Sequence, residues 1–420
     1  MLHYLAIIAL FLFCSSIALS NAETLEARVG KILKRTPLID GHNDLPILYT
    51  MRADGDLSKL PFRGNLEAIA KPTHTDLPRM RKGMVGAQFW SVFIPITKYA
   101  GEPGDTGKVL KQIDIVHRLV EENQSDLEIA LTADDILRIH GEGKIASLIG
   151  VEGGHAIENS LATLRMLYNL GARYMTLTHS KGLSWADSAT DVRQVGGLTE
   201  FGVAVVKEMN RLGMLVDLSH VSVSTMNQAL DASSSPIIFS HSSAAAVTPH
   251  PRNVSDELLL RLKENNGIIM ITFFPSYISQ RVDRAWKDIQ EKAKKKTGTA
   301  EQRRQFFYEQ VSSKRVPKSS ISDVADHIDH VRNLIGSDYI GLGSDYDGMP
   351  GAPIGLEDVS KFPALFVELL KRGYSETEIE KIAGQNLLRV MRENERNSLQ
   401  LRAKKIKGKI GDGLRKASFR

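Results

Sequence analysis

Histidines and carboxylates recur where apolar runs stop. Leu38-Ile39-Asp40-Gly41 gives way to His42 and Asp44, two residues apart, a spacing that points both side chains to one face of a strand. Leu148-Ile149-Gly150-Val151 ends in Glu152-Gly153-Gly154-His155, and later runs end in Thr178-His179-Ser180, Asp217-Leu218-Ser219-His220, Phe239-Ser240-His241-Ser242 and Gly343-Ser344-Asp345-Tyr346-Asp347. Any one of these alone reads as an ordinary polar stop or a histidine bonded to backbone. Gathered at one end of a fold, they would be costly to bury unless paired or bound to metal.

Imidazole and carboxylate suit zinc, at about 2.0–2.2 Å. Two ions about 3.5–4 Å apart need a shared ligand, which a carboxylate supplies more easily than an imidazole. Glu152 is the candidate for that bridge. His42, Asp44 and Glu152 then form one site, and Glu152, His220 and His241 the other. A hydroxide held between two Zn2+ ions would be the nucleophile. Asp345 is left as general base and acid, and His179 as donor to a developing oxyanion.

These residues need a scaffold that ends many strands at one place. Eight apolar, β-branched runs qualify: Leu38–Ile39 leading into Asp40, Gly86–Ile94, Ala146–Val151, Tyr174–Thr178, Leu215–Leu218, Ile237–Phe239, Ile268–Phe273 and Tyr339–Leu342. Between and after them, segments such as Leu110–Asn123, Glu200–Leu212, Asp256–Asn265 and Ser322–Ile335 carry helical periodicity. Ser375 and Glu378 form a capping-box pattern ahead of a last helix to Val390. Alternating β and α over more than 300 residues predicts an α/β fold, a (β/α)8 TIM-type barrel, with an open doubly wound sheet as the alternative. No G-x-G-x-x-G follows the first strand, so a dinucleotide site has no support. Residues 52–85 and 281–318 read as excursions over the barrel mouth.

The ends differ from the body. Tyr4–Leu19 is almost wholly apolar and Ser20-Asn21-Ala22 is small, so residues 1–22 read as a secretory signal, with a retained anchor as the alternative. The single cysteine, Cys14, lies inside it, so export would bring no disulfides, which fits a bacterial periplasmic or secreted protein. No later stretch is apolar enough to span a bilayer. The net charge is +5, yet residues 401–420 hold eight Lys and Arg against Asp412 alone. That leaves the body near −2 and argues against a nucleic-acid partner. The barrel is placed at residues 23–397 and a solvated basic tail at 398–420, whose removal after Asn397 should leave activity unchanged.

Taken together, the blocks resemble the renal (membrane) dipeptidase family, a branch of the amidohydrolase-like barrels, in a bacterial exported form. The matching segments are Asp40-Gly41-His42-Asn43-Asp44-Leu45-Pro46, Glu152-Gly153-Gly154-His155, Thr178-His179-Ser180, Asp217–Ser222, Phe239–Ala244, Arg252-Asn253-Val254 and Gly343–Gly348, in the family's order. The resemblance implies a (β/α)8 barrel, two zinc ions bridged by Glu152, and release of free amino acids from small dipeptides. It implies that Arg252 binds the substrate carboxylate, that His179 and Asp345 contact the scissile region, and that a homodimer is open to the chain. Phe273-Phe274 stands where the family commonly has Phe-Tyr, which puts side-chain preference in question. Other small amides (a lactam or an N-acyl amino acid) and a non-catalytic metal-holding barrel are the competing functions.

Overall fold

Strand-end chemistry of this kind works only if the strands close on one another. The computed structural model describes residues 23–95, 105–311, 313 and 316–417; the expected signal at 1–22, with Cys14, lies outside the described residues. Among the described residues there are nine parallel strands: β1 Leu38–Asn43, β2 Val85–Phe93, β3 Leu127–Ile129, β4 Ile145–Glu152, β5 Ala172–Thr176, β6 Leu215–Asp217, β7 Ile238–Ser242, β8 Ile268–Ile271 and β9 Ile340–Leu342. They run in the order β2-β1-β9-β8-β7-β6-β5-β4-β3, and β2 also pairs with β4. That pairing closes eight strands into a (β/α)8 barrel and leaves β3 outside the ring, bonded only to β4. All eight expected strands are in the ring. Three-residue β3 has no counterpart among them, because it is too short to show a period of its own.

Alternation along the strands sorts side chains inward and outward. Ala87 and Phe89 on β2, Ala146 and Leu148 on β4, Tyr174, Leu215, Ile238, Ile268 and Met270 fill one interior cluster. Their neighbours Trp90, Val92, Ile149 and Val151 join the larger layer between barrel and helices. Leu387, Leu388, Val390 and Met391 of the last helix belong to the interior cluster and so plug the lower end. The expected capping box is present: the Ser375 hydroxyl accepts the Glu378 N–H, and Glu378 accepts the Ser375 N–H. No helix among the described residues is long and apolar enough to cross a membrane.

The chain beyond Asn397 differs from the solvated tail expected of it. One helix runs unbroken from Asn386 to Ala417. Ser398 is buried, and its hydroxyl donates to the Arg211 carbonyl at 2.7 Å. The Arg402 guanidinium donates to the carbonyls of Arg211 (3.1 Å) and Leu212 (2.7 Å). These carbonyls are among the last of the helix Glu200–Leu212, which has no internal donors for them. The sequence shows charge there but not the helix end that the charge serves. Ending the chain at Asn397 should therefore cost about 1–2 kcal/mol and lower Tm by a few degrees while kcat holds. Thermal unfolding beside an activity assay checks both halves.

Candidate active site

The strand ends deliver their polar groups to one cavity of about 720 Å³, lined by Asp44, Glu152, His179, His220, His241, Arg252 and Asp345 among others. Glu152, last residue of β4, is the common neighbour. Its Oε1 lies 3.6 Å from His42 Nε2, 3.0 Å from His220 Nε2, 3.4 Å from His241 Nε2 and 3.8 Å from His179 Nε2. His42 Nε2 is also 3.4 Å from Asp44 Oδ2, and the Nε2 atoms of His220 and His241 are 2.9 Å apart. Ligand atoms of His42, Asp44 and Asp345, of His42, Glu152 and His241, and of Glu152, His179 and His220 each lie close enough together to hold one ion. Glu152 stands in two of these three groups, but the grouping differs from the two expected sites: Asp44 falls with Asp345, and His220 and His241 fall in different groups.

The electrostatics show what this cluster lacks. His42 is fully buried; burial pushes its pKa down, but the Asp44 and Glu152 carboxylates outweigh this and lift it to about 10. Burial raises Glu152 to about 7. Burial and the Asp44 charge push Asp345 well above the carboxylate range. Carboxylates this crowded hold protons in place of another cation. The His42 Nε2 atom is buried with no hydrogen-bond partner. Imidazole nitrogens and carboxylates without enough positive charge are the donor set that zinc takes, so the residues present fit that metal.

Local structure aims these groups. His220 and Asp345 adopt left-handed backbone, φ 69° and 66°, which is costly for residues with a Cβ and recurs at active sites. The Asp345 N–H donates to the His42 carbonyl and the Ala189 N–H to the His220 carbonyl, fixing both turns. A Cβ on Gly348 would lie 2.1 Å from Asp44 Oδ2 and 2.5 Å from Asp345 Oδ1, so only glycine lets the chain pass these carboxylates. Likewise a Cβ on Gly150 would lie 2.0 Å from the Tyr174 ring. The space left there lets Tyr174 cross the barrel floor to His42, with its oxygen 2.9 Å from Nδ1.

His179 sits at the rim, ring centroids 4.4 Å from both Phe93 and His220. Burial pushes its pKa down to about 3, so it is neutral at ordinary pH. Its Nδ1 lies 3.1 Å from the Ser180 hydroxyl; with Ser180 donating, the Nε2–H faces the cavity. Arg252 is 1% exposed. Its guanidinium donates to the Ser242 hydroxyl at 3.3 Å and the His241 carbonyl at 3.2 Å, and its Nε has no partner. It lies 5.3 Å over the Tyr277 ring. No acid among the described residues forms an ion pair with it, so the paired surface arginine that this position also allowed is not what the fold builds.

Of the residues singled out at the strand ends for metal or catalysis, Asp44, Glu152, His179, His220, His241 and Asp345 line this cavity, and His42 lies buried against Asp44 and Glu152. His155 is not among them: its Nε2 donates to the Ile94 carbonyl at 3.1 Å, and it lies buried under the loop. Both excursions reach the cavity, the first through Arg52, Pro72 and His74, the second through Arg304 and Tyr308. Sequence reasoning assigned no role to Ser91, Tyr174, Asp217, Ser240 or Tyr277. Ser91, on β2, donates to Glu152 Oε2 at 3.2 Å. Only Asp217 and Ser240 carried a visible signal, since each precedes a site histidine by three residues or one.

Comparison with known proteins gives the fold and the family. The probable dipeptidase PvdM from Pseudomonas aeruginosa superposes with a TM-score of 0.76 at 22% identity, covering 89% of this chain and 99% of that one. A metallo peptidase from Rhodobacter sphaeroides, liganded with a phosphinate mimic of L-Ala-D-Ala, gives 0.69 at 23% identity, covering 86% and 99%. Identities this low speak for the fold alone. A family model is the stronger finding: it matches residues 26–405, from the first helix through every strand end described above, and the chain belongs to the membrane dipeptidase family, peptidase family M19.

Proposed function

We propose that this protein cleaves dipeptides with two zinc ions that share Glu152, acting outside the cytoplasm. Dipeptide hydrolysis follows from the family and from the metal-ready cluster. The finer reading is supported by one observation above the rest. Arg252 is a buried cation that forms no ion pair with any acid among the described residues, in the wall of the cavity that holds Glu152 and Asp345. An unpaired buried guanidinium is expensive and matches the planar carboxylate of a dipeptide C-terminus. Export is supported by the apolar run Tyr4–Leu19.

Zinc at these ligands supplies Lewis-acid polarisation of the scissile carbonyl and lowers the pKa of water. The chain's own groups do the rest. Arg252 takes the substrate carboxylate and sets the distance from it to the peptide bond. Asp345 takes a proton from the attacking water and delivers it to the departing amine. Neutral His179 presents Nε2–H where the carbonyl oxygen gains charge.

Arg252→Ala tests the reading. It should lose about 2–3 kcal/mol in kcat/KM against a free dipeptide, roughly 30- to 150-fold. Against the same dipeptide with an amidated C-terminus it should lose much less, because that substrate never makes the contact. Equal losses would make Arg252 structural and reopen the wider class of small amides.

A further inference from the structure

The site histidines are not backed alike. His241 Nδ1 lies 2.8 Å from the Ser240 hydroxyl, and that hydroxyl donates to Asp217 Oδ2 at 2.6 Å. With Nε2 turned to Glu152, Nδ1 carries the proton, so the bonds run imidazole N–H to hydroxyl to carboxylate. Asp217 is completely buried and otherwise bonded to its limit. It accepts the N–H groups of Ser219 (3.0 Å) and Ser240 (2.8 Å) and the Thr176 hydroxyl. The Ser219 hydroxyl in turn accepts the His241 N–H at 3.0 Å. One carboxylate on β6 therefore fixes both the backbone and the ring of His241 on β7.

His42 is backed differently. Its Nδ1 meets the Tyr174 phenol, which passes its own proton to the Gly41 carbonyl at 3.2 Å. That line ends on a neutral group. Asp40 occupies the place on β1 that Asp217 occupies on β6. It spends its bonds on the Ser344 N–H and hydroxyl, both at 2.7 Å, and on Gln88 at 2.9 Å. It reaches the His42 main chain but not its ring.

We propose that Asp217, acting through Ser240, is a positioning residue that sets metal affinity on the His220/His241 side of the site independently of the His42/Asp44 side. A carboxylate pulling on Nδ1–H holds the ring with Nε2 toward the metal position and makes that nitrogen a stronger donor. Losing such a partner elsewhere costs about 10- to 100-fold in affinity. The proposal rests on the two-zinc reading above.

Zinc content and chelator competition on the full chain test it, with wild type, Ser240→Ala and Ser240→Thr compared. In wild type two ions should bind. Ser240→Ala should weaken one of them about 10- to 100-fold and leave the other unchanged, and Ser240→Thr, which restores the hydroxyl, should recover the first. A general packing defect would weaken both ions together; that result, or no change in either, overturns the relay. If Ser240→Ala does not fold, Ser240→Cys carries the same test, because a thiol is a much weaker hydrogen-bonding group. Should wild type bind a single ion, the two-zinc reading falls. The relay then stands if Ser240→Ala weakens that ion and falls if it does not.

Discussion

Asp345→Asn should lower kcat about a thousandfold while zinc content stays at the wild-type level. The side chain lies just past β9 on a left-handed residue whose N–H is tied to the His42 carbonyl. Asparagine has the same shape, so the turn and the passage of Gly348 against Asp44 survive. What goes is the ability to take a proton and give it back. The exchange also removes a carboxyl group beside Asp44, so crowding of negative charge falls and the fold should be no less stable. Steady-state kinetics with metal analysis on the same preparation decides the matter. A loss of less than tenfold would move the proton transfer to another group, and a parallel loss of zinc would make Asp345 a ligand.

The second large effect is expected at Glu152. Its Oε1 lies within 3.6 Å of His42, His220 and His241, so it is the carboxylate that the two proposed zinc sites would share. Glu152→Gln keeps the volume and the contact with Ser91 but removes the charge that both ions would share. Zinc content should fall from about two per chain toward zero, and activity with it. His241→Ala removes a ligand from one of the two proposed sites and should leave about one ion, held by His42, Asp44 and Glu152. If the two variants lose metal equally, Glu152 is not the bridge. The contrast between the variants matters more than either alone, since any single ligand loss would lower activity.

Much of this site is legible in the amino-acid sequence, because the signals are local. A strand buried on both sides must be apolar, and its last residue faces the barrel mouth. A run such as Leu148–Val151 followed by Glu152, or Leu38–Ile39 leading to His42 and Asp44, announces its own end. Eight such runs separated by helical periods leave few arrangements other than a closed parallel barrel. The capping box at Ser375 and Glu378 is legible for the same reason, since partners three residues apart need no tertiary knowledge.

What the tertiary structure decided are relations between distant segments. Whether β2 pairs with β4 and excludes β3 depends on backbone bonds between residues about sixty apart. Tyr174 reads as one more interior aromatic until barrel closure, and the missing side chain at Gly150, bring its hydroxyl to His42. Arg252 could have been a paired surface charge; burial without an acid is a property of everything packed around it. Ser398 and Arg402 looked like a frayed end because the carbonyls they satisfy belong to a helix nearly two hundred residues earlier. The sequence alone names the groups that can do the chemistry, because burial and strand period act on neighbours. Which hydrogen-bond partner holds each group, and which charge goes unpaired, is settled only when folding brings remote strands within about 3 Å of one another.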